Sequence, residues 1–256
     1  MILNIVFDGP RRGDINMALD WLLLERAAET GEAYARLYTW TPTTLSLGRR
    51  QWDEKIVENA ARLGIPVVRR PTGGAALIHS ESLEVTYSIA LPRESSLYEM
   101  SIAESASAII QAIAWGLRRL GLPVKGGTPD RVISPSERPS LCLHAPGAGD
   151  LLSEDGRLKL GGSAQYRSSR GLLQHGQILV GLERSLWERV FGVKLEGVSS
   201  LEEISGRNLA LEDIAYAVAV GLAGLPGVEA VRTSGLPEDL SWRSLSIAGR
   251  YRVSER

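Results

Sequence analysis

The sequence predicts an α+β fold: a mixed, largely antiparallel sheet with helices packed on it. Three observations lead there. Segments with strand and helix periodicity are intermixed without the regular βαβ alternation of a parallel sheet. The 256 residues are 44% hydrophobic and 23% charged, a globular balance with ample apolar material for a core. No period repeats and no low-complexity linker divides the chain, so residues 1–256 are expected as one domain with a small C-terminal appendage from about residue 205.

Met1 to Phe7 reads as a strand. Asp14 offers a helix N-cap, followed by Ile15, Ala18, Leu19, Leu22 and Leu23 at helical spacing as far as about Glu29. Tyr34 to Thr39 and Thr44 to Leu47 alternate like paired strands around a Thr41-Pro42 turn. Asp53 is placed to cap a helix through Leu63, which Gly64 ends. Pro66 to Arg69, Ala76 to Ile78 and Leu83 to Leu91 are short strands. The longest helical pattern runs from about Leu97 to Leu120, with Ile102, Ala106, Ile109, Ile110, Ile113 and Leu117 on one face and Gly121 as its stop. Lys125 to Pro139 reads as an irregular loop. Leu141 to Leu143, Asp150 to Leu152, Arg157 to Gly161 and Leu172 to Val180 are strand candidates, and helices return near Ser185 to Val190 and Leu211 to Leu222.

Charge and composition exclude several classes of function. Lys and Arg number 29 against 30 Asp and Glu, a net charge of −1, which disfavours a nucleic-acid grip. No apolar run approaches the ~18 to 20 residues of a membrane helix, and the start MILNIVFDGPRR is too short for a signal-peptide core. A cytoplasmic protein with no membrane partner is expected. The single cysteine, Cys142, excludes an internal disulfide framework and a cysteine-based zinc cluster. The lysines are only Lys55, Lys125, Lys159 and Lys194, and arginine carries the rest of the positive charge. That bias reflects base composition or thermal adaptation, or else an arginine-bearing patch for an acidic partner.

Arg69-Arg70-Pro71-Thr72-Gly73-Gly74-Ala75 lies between two strands. Paired glycines let backbone amides approach a ligand, and arginines can fork onto carboxylate or phosphate; the alternative is a plain turn. Neither a G-x-x-x-x-G-K-[ST] loop nor a G-x-G-x-x-G arrangement after a strand is present, so nothing demands ATP or NAD. His79, His144 and His175 share no H-x-x-x-H spacing, and no metal site is expected. Cys142 is an inert buried thiol or a nucleophile. Lys159 is an exposed strand lysine, or the cation that favours the Cys142 thiolate over a thiol of pKa roughly 8.5.

Taken together these segments resemble a family. Arg69 to Gly74, His79 and Leu83-Glu84-Val85-Thr86-Tyr87-Ser88 look like the signature of lipoate–protein ligases and octanoyltransferases. The Lys159 segment with Gly162-Ser163-Ala164-Gln165, and Leu172-Leu173-Gln174-His175-Gly176, look like its second and third signatures. Trp40-Thr41-Pro42 with Leu45-Ser46-Leu47-Gly48 fits its early strands. The resemblance spans about residues 12 to 215 and implies a biotin/lipoyl protein ligase-like catalytic domain. It is closest to the cysteine/lysine type of octanoyltransferase, because Cys142 matches that group's nucleophile and the rest of the chain leaves little room for the ligases' accessory domain. Ala75, Ser80-Glu81-Ser82 and Leu143 depart from the family pattern.

The resemblance implies an acyltransferase that moves an octanoyl group from acyl carrier protein, or from octanoylated glycine-cleavage H protein, through a Cys142 thioester. The acceptor would be a lysine of a lipoyl domain, in H protein or an E2 subunit, and no cofactor would be needed. Cys142 and Lys159 would be catalytic. Arg69, Arg70, Thr72, Gly73, Gly74, His79, Gly162, Ser163, Ala164 and His175 would bind substrate, and Leu77 and Tyr87 would line the acyl tunnel. Two alternatives stand beside it. One is an ATP-dependent lipoate–protein ligase, in which ATP and lipoate are used and Arg69, Arg70 and Lys159 grip an acyl-adenylate. The other is a non-catalytic acyl-binding or partner protein.

Overall fold

A computed structural model describes residues 1–128 and 147–253. The expected α+β fold is borne out. Eight described strands form one sheet in the order β11-β1-β2-β6-β10-β9-β8-β7. They are β1 (Ile2–Arg11), β2 (Ala33–Trp40), β6 (Glu84–Pro92), β7 (Val124–Gly126), β8 (Leu151–Ser153), β9 (Lys159–Ser168), β10 (Gly171–Leu179) and β11 (Ala230–Ser234). Strand β1 runs parallel to both β11 and β2, and every other neighbouring pair is antiparallel. A second sheet of three short strands, β3 (Thr44–Leu47), β4 (Val67–Arg69) and β5 (Leu77–His79), has β3 at its centre.

Strand alternation sorts the side chains into two layers. Ala33, Ala35 and Leu37 of β2, with Val85, Tyr87, Ile89 and Leu91 of β6, face the helices α4 (Ile102–Arg118) and α7 (Leu211–Leu222) in the largest core cluster. Tyr34, Ala90 and Leu173 project the other way, onto Leu19, Leu22 and Leu23 of helix α1 (Gly13–Thr30). Strands β6 and β10 are therefore buried along their whole length. Helices α2 (Glu54–Arg62) and α5 (Arg184–Phe191) close the small sheet's own core around Leu45, Ile78 and Trp187.

The structure departs from the sequence reading in several places. β2 and β3 are not paired: β1 and β6 occupy both edges of β2, while β3 pairs with β4 and β5. Asp14 is not the cap of α1. Arg12 holds the cap position, and Asp14 sits in the first turn with its carboxylate 2.6 Å from both Arg12 and Arg252. The pattern from Leu97 to Leu120 breaks into α3 (Ser96–Glu99) and α4, because a capping box restarts the helix. Ser101 Oγ accepts from the Glu104 amide while Glu104 accepts from the Ser101 amide.

Within the stretch read as a loop from Lys125, Val124–Gly126 forms β7 against β8. α6 (Leu201–Ser205), β11 and α8 (Glu238–Ile247) were not anticipated. From about residue 205 onward, α7 packs on α4, β11 extends the large sheet beside β1, and α8 packs on α1. The expected strand Leu141 to Leu143 lies outside the described residues.

Two glycines set the α4–α7 spacing. A Cβ on Gly116 would fall 2.0 Å from the Ala217 carbonyl oxygen, and one on Gly221 would fall 2.2 Å from that of Ala112. Gly116→Ala must push the helices apart and is expected to lower stability by about 1–3 kcal/mol. The check is a lower urea midpoint at unchanged slope.

Candidate active-site cleft

A narrow cleft with a cavity volume of about 20 Å³ opens between the small sheet and the α1 side of the large sheet. Met17, Trp40 and Leu77 give it apolar walls, and Gly162, Ser163, Ala164 and Gly176 keep one side free of bulk. Arg70, His79, Thr86, His175 and Gln177 supply its polar groups. Apolar walls with a few converging polar groups are the lining of a site for an apolar ligand with a polar end. Tyr87, expected in the tunnel with Leu77, points to the α4 side instead. Its hydroxyl accepts from Gln174, and burial pushes its pKa up to about 12.

Arg69 and Arg70 are adjacent and serve opposite sides. Arg69 turns away from the cleft and donates to the carbonyls of Gly48 and Gln51, with its guanidinium over Trp52. Arg70 turns inward, buried, and donates to Gly73 O at 2.7 Å, Ala75 O at 2.6 Å and Ser46 O at 3.0 Å. Its fork thus moulds the loop that carries Gly73 and Gly74. Both glycines are exposed at the cleft rim, and Gly74 adopts φ 83°, a left-handed conformation that favours glycine.

Each cleft histidine is held by a buried carboxylate. His79 Nδ1 lies 2.8 Å from Glu84 Oε1 and its Nε2 2.9 Å from Ser46 Oγ, with the ring stacked 3.9 Å from Trp40. Glu84 also accepts from the Ser80 amide, Thr86 and Gln177. His175 Nδ1 lies 2.9 Å from Asp20 Oδ2 and its Nε2 2.6 Å from Thr72 Oγ1. Ionised carboxylates only accept, so the network assigns both rings as Nδ1–H tautomers with Nε2 as acceptor.

Asp20 also accepts from Tyr38 and from the fully buried Arg36. Burial pushes the Asp20 carboxyl up, but His175, Arg36 and hydrogen bonds outweigh it and hold the group below the ordinary range. Burial likewise pulls His175 below 6.5 despite Asp20 beside it. Asp20 carries no motif and escaped the sequence reading, whereas Glu84 and Ser46 lie within the family segments without having been singled out as site residues.

Lys159 is not an exposed strand lysine; it is buried, 3% exposed. β8 and β9 pair through a bulge, with adjacent Leu151 and Leu152 facing Gly161 and Lys159, so β9 carries one extra residue. The bulge shifts side-chain parity and brings Lys159 to the face of Gly162. A Cβ on Gly162 would lie 3.4 Å from Lys159 Nζ and 3.2 Å from Lys159 Cε. The ammonium sits 2.7 Å from Asp150, which also accepts the Gly147 amide. Burial pushes the Asp150 carboxyl up, against the pull of Lys159. Asp150 was also missed, although an acid directly before the hairpin partner of the Lys159 strand was the available signal. Ser163 Oγ donates to the Gly149 carbonyl at 2.7 Å, bracing the same hairpin.

The structure thus gathers Arg70, Thr72, Gly73, Gly74, His79, Lys159, Gly162, Ser163, Ala164 and His175 around one cleft or its rim, and leaves Arg69 outside. Cys142 and His144 lie outside the described residues. Among the described residues no group of three His, Cys, Asp or Glu could hold a metal ion, and no helix is long and apolar enough to cross a membrane.

The lipoyl protein ligase A/B catalytic domain matches residues 13–223. The chain belongs to this family. The octanoyltransferase LipM of Geobacillus kaustophilus is 34% identical over 217 residues, 77% of each chain. That of Anoxybacillus flavithermus is 30% identical over 259 residues, covering 94% of this chain and 92% of its own. These relatives bear out an acyltransferase enzyme of the family. Solved structures show the same fold. A lipoate-protein ligase A bound with ATP aligns at TM-score 0.77 and 17% identity over 98% of this chain and 95% of that one. A bi-partite lipoate protein ligase from Thermoplasma acidophilum, studied with its E2 lipoyl domain, aligns at 0.73 and 17% over 97% and 91%.

The unfolded His175 ring titrates near 6.5, and in the folded family domain it titrates lower. Between those values the unfolded chain holds more protons, so stability rises with pH there and is lost as pH falls through the lower value. Chemical denaturation stepped downward from pH 7 should show this loss, and His175→Gln should flatten it.

Proposed function

We propose that the chain is an octanoyltransferase of protein lipoylation, carrying an octanoyl group through a Cys142 thioester to a lysine of a lipoyl domain. The observation that carries the reading is near full-length likeness to an octanoyltransferase, over 94% of this chain. The E2 lipoyl domain that belongs with a bi-partite lipoate protein ligase of the same fold supports a lipoyl-domain acceptor. Acyl carrier protein, whose acyl group is a thioester, is the proposed donor; octanoylated H protein, whose acyl group is a lysine amide, is the alternative and would demand a harder first step.

In the first step the Cys142 thiolate attacks the donor thioester carbonyl, the carrier thiolate leaves and takes up a proton, and a thioester replaces a thioester. In the second, the neutral amine of the acceptor lysine attacks the enzyme thioester, loses a proton and expels the Cys142 thiolate. The amide product is more stable than the thioester, so neither step needs ATP. Lys159, a cation, is no base; it would hydrogen-bond the acyl carbonyl and favour the thiolate. The Gly73 and Gly74 amides at the rim would add donors to the developing oxyanion, each typically worth about 3 kcal/mol. The apolar wall of Met17, Trp40 and Leu77 would hold the chain, with about 0.8 kcal/mol per buried methylene available to select its length.

Intact mass after incubation with octanoyl-acyl carrier protein and no acceptor should rise by one octanoyl group, and Cys142→Ala should stay unlabelled. Equal labelling of that variant would sink the covalent mechanism. Modification of a lipoyl domain by Cys142→Ala with free lipoate and ATP would establish the ligase reading instead. Raising salt should slow the donor step if exposed arginines guide an acidic carrier.

Lys159→Met should cut kcat by about a hundred- to a thousandfold. It also strands buried Asp150, at a cost of about 3–5 kcal/mol. The double variant Lys159→Met/Asp150→Asn should regain stability, by thermal melting, and stay inactive.

A further inference from the structure

The loop between β4 and β5 is tied down by both buried histidines. At its start Arg70 grips Ser46, which meets His79. Two residues on, the fully buried Thr72 hydroxyl reaches His175 Nε2 at 2.6 Å, and His175 Nδ1 reaches Asp20 at 2.9 Å. Thr72 is the loop's side-chain tie to the large sheet, whereas its carbonyl accepts the Arg49 amide on the small-sheet side. The next two residues are the exposed Gly73 and Gly74 of the cleft rim.

We infer that Thr72, His175 and Asp20 form a positioning relay: neutral His175 fixes the Gly73–Gly74 turn at the reacting end by accepting from the Thr72 hydroxyl, and protonation of His175 reverses that bond, redirects the hydroxyl proton and shifts the turn. The effect on rate rests on the transferase reading; the hold on the turn rests on geometry alone.

The chemistry is one of donor count. Neutral His175 gives its one proton to Asp20 and takes the Thr72 proton. Protonated, it donates from both nitrogens, so Thr72 Oγ1 turns from donor to acceptor in the same contact, and the hydroxyl proton must turn to another acceptor in a dry site. The ring is faced by Asp20 from α1, Arg70 from the loop and His79 from β5. Behind Asp20 stand Arg36 and Tyr38 from β2, Ser88 from β6 and Tyr251 from the terminal turn. Arg70 therefore repels an added charge on His175 while Asp20 attracts it, and burial settles the balance in favour of the neutral ring. A turn displaced by about 1 Å at a reacting centre is enough to cost on the order of a hundredfold in rate.

The test combines nitrogen NMR of the labelled chain, from pH 8 down to 4.5, with octanoyl transfer over the same range. The expected ring pattern at pH 7.5 is Nδ1 protonated and Nε2 bare, with the Gly73 and Gly74 amide shifts following the His175 midpoint. Thr72→Val should uncouple those amides from the ring. It should also lower kcat at least tenfold with KM within threefold, and erase the acid limb at that midpoint. Thr72→Ser, which keeps the hydroxyl, should stay within threefold of wild type on every measure.

An Nε2-protonated ring, glycine amides that ignore the His175 titration, or Thr72→Val with wild-type kcat would each overturn the relay. Should Thr72→Val fail to fold, the wild-type amide titration still decides. A coupled titration in a protein that transfers no octanoyl group supports the relay's hold on the turn and overturns the transferase reading.

Discussion

Asp20 lies out of contact with water on α1 and accepts hydrogen bonds from three residues on two strands: Arg36 and Tyr38 on β2, and His175 on β10. A lone carboxylate in that position would cost several kcal/mol in lost hydration. Arg36, itself bound by Asp8 and Asn16, supplies the compensating charge. The outcome is a helix locked to two strands at one fixed height, and that height is where the cleft opens. Scaffold and site share one polar network, so the ordering of the site is inherited from the folding of the core.

The same economy governs the cations of the signature segments. Strand alternation sends Arg69 outward and Arg70 inward, and the donors of Arg70 go to carbonyls of its own loop and of β3. An arginine next to a glycine pair suggests an anion clamp when seen as sequence; in the fold it is a strut that shapes backbone. Lys159 is handled differently. A bulge turns it to the face of Gly162, beside the cleft wall, and Asp150 anchors its buried ammonium.

Local chemistry was legible in the sequence wherever it acts over a few residues. Asp53 caps α2 as its position suggests, accepting the Ile56 amide, and the glycine and histidine segments do meet at one site. What escaped depends on partners far along the chain. The alternation of Tyr34 to Thr39 fits a hairpin with Thr44 to Leu47 as well as it fits β1 and β6, and only the three-dimensional register separates them. β11 has exposed residues throughout and no inward pattern, yet pairs with β1 from Ile2↔Ala230 onward. Lys159 looked exposed because one extra residue in a strand reverses parity, and a bulge has no sequence marker here beyond the glycines that follow it. Asp20 sits among the apolar positions of α1 with no marker of its own, and its partners lie 16 to 155 residues away.

These placements bear on how one scaffold can host two energy sources. A ligase that activates a free acid must neutralise phosphates as well as hold an acyl carbonyl, which calls for cations able to reach a nucleotide. A transferase receives its acyl group already activated as a thioester, and needs only donors at one carbonyl and a dry channel for the chain. In this chain the Arg70 guanidinium shapes the glycine loop, Arg69 braces the strand β3 exit from outside the cleft, and Lys159 stands beside the narrow wall at Gly162. Fold likeness to an ATP-bound ligase is neutral between the two chemistries; the proposal that the acyl group arrives activated rests on the near full-length likeness to an octanoyltransferase.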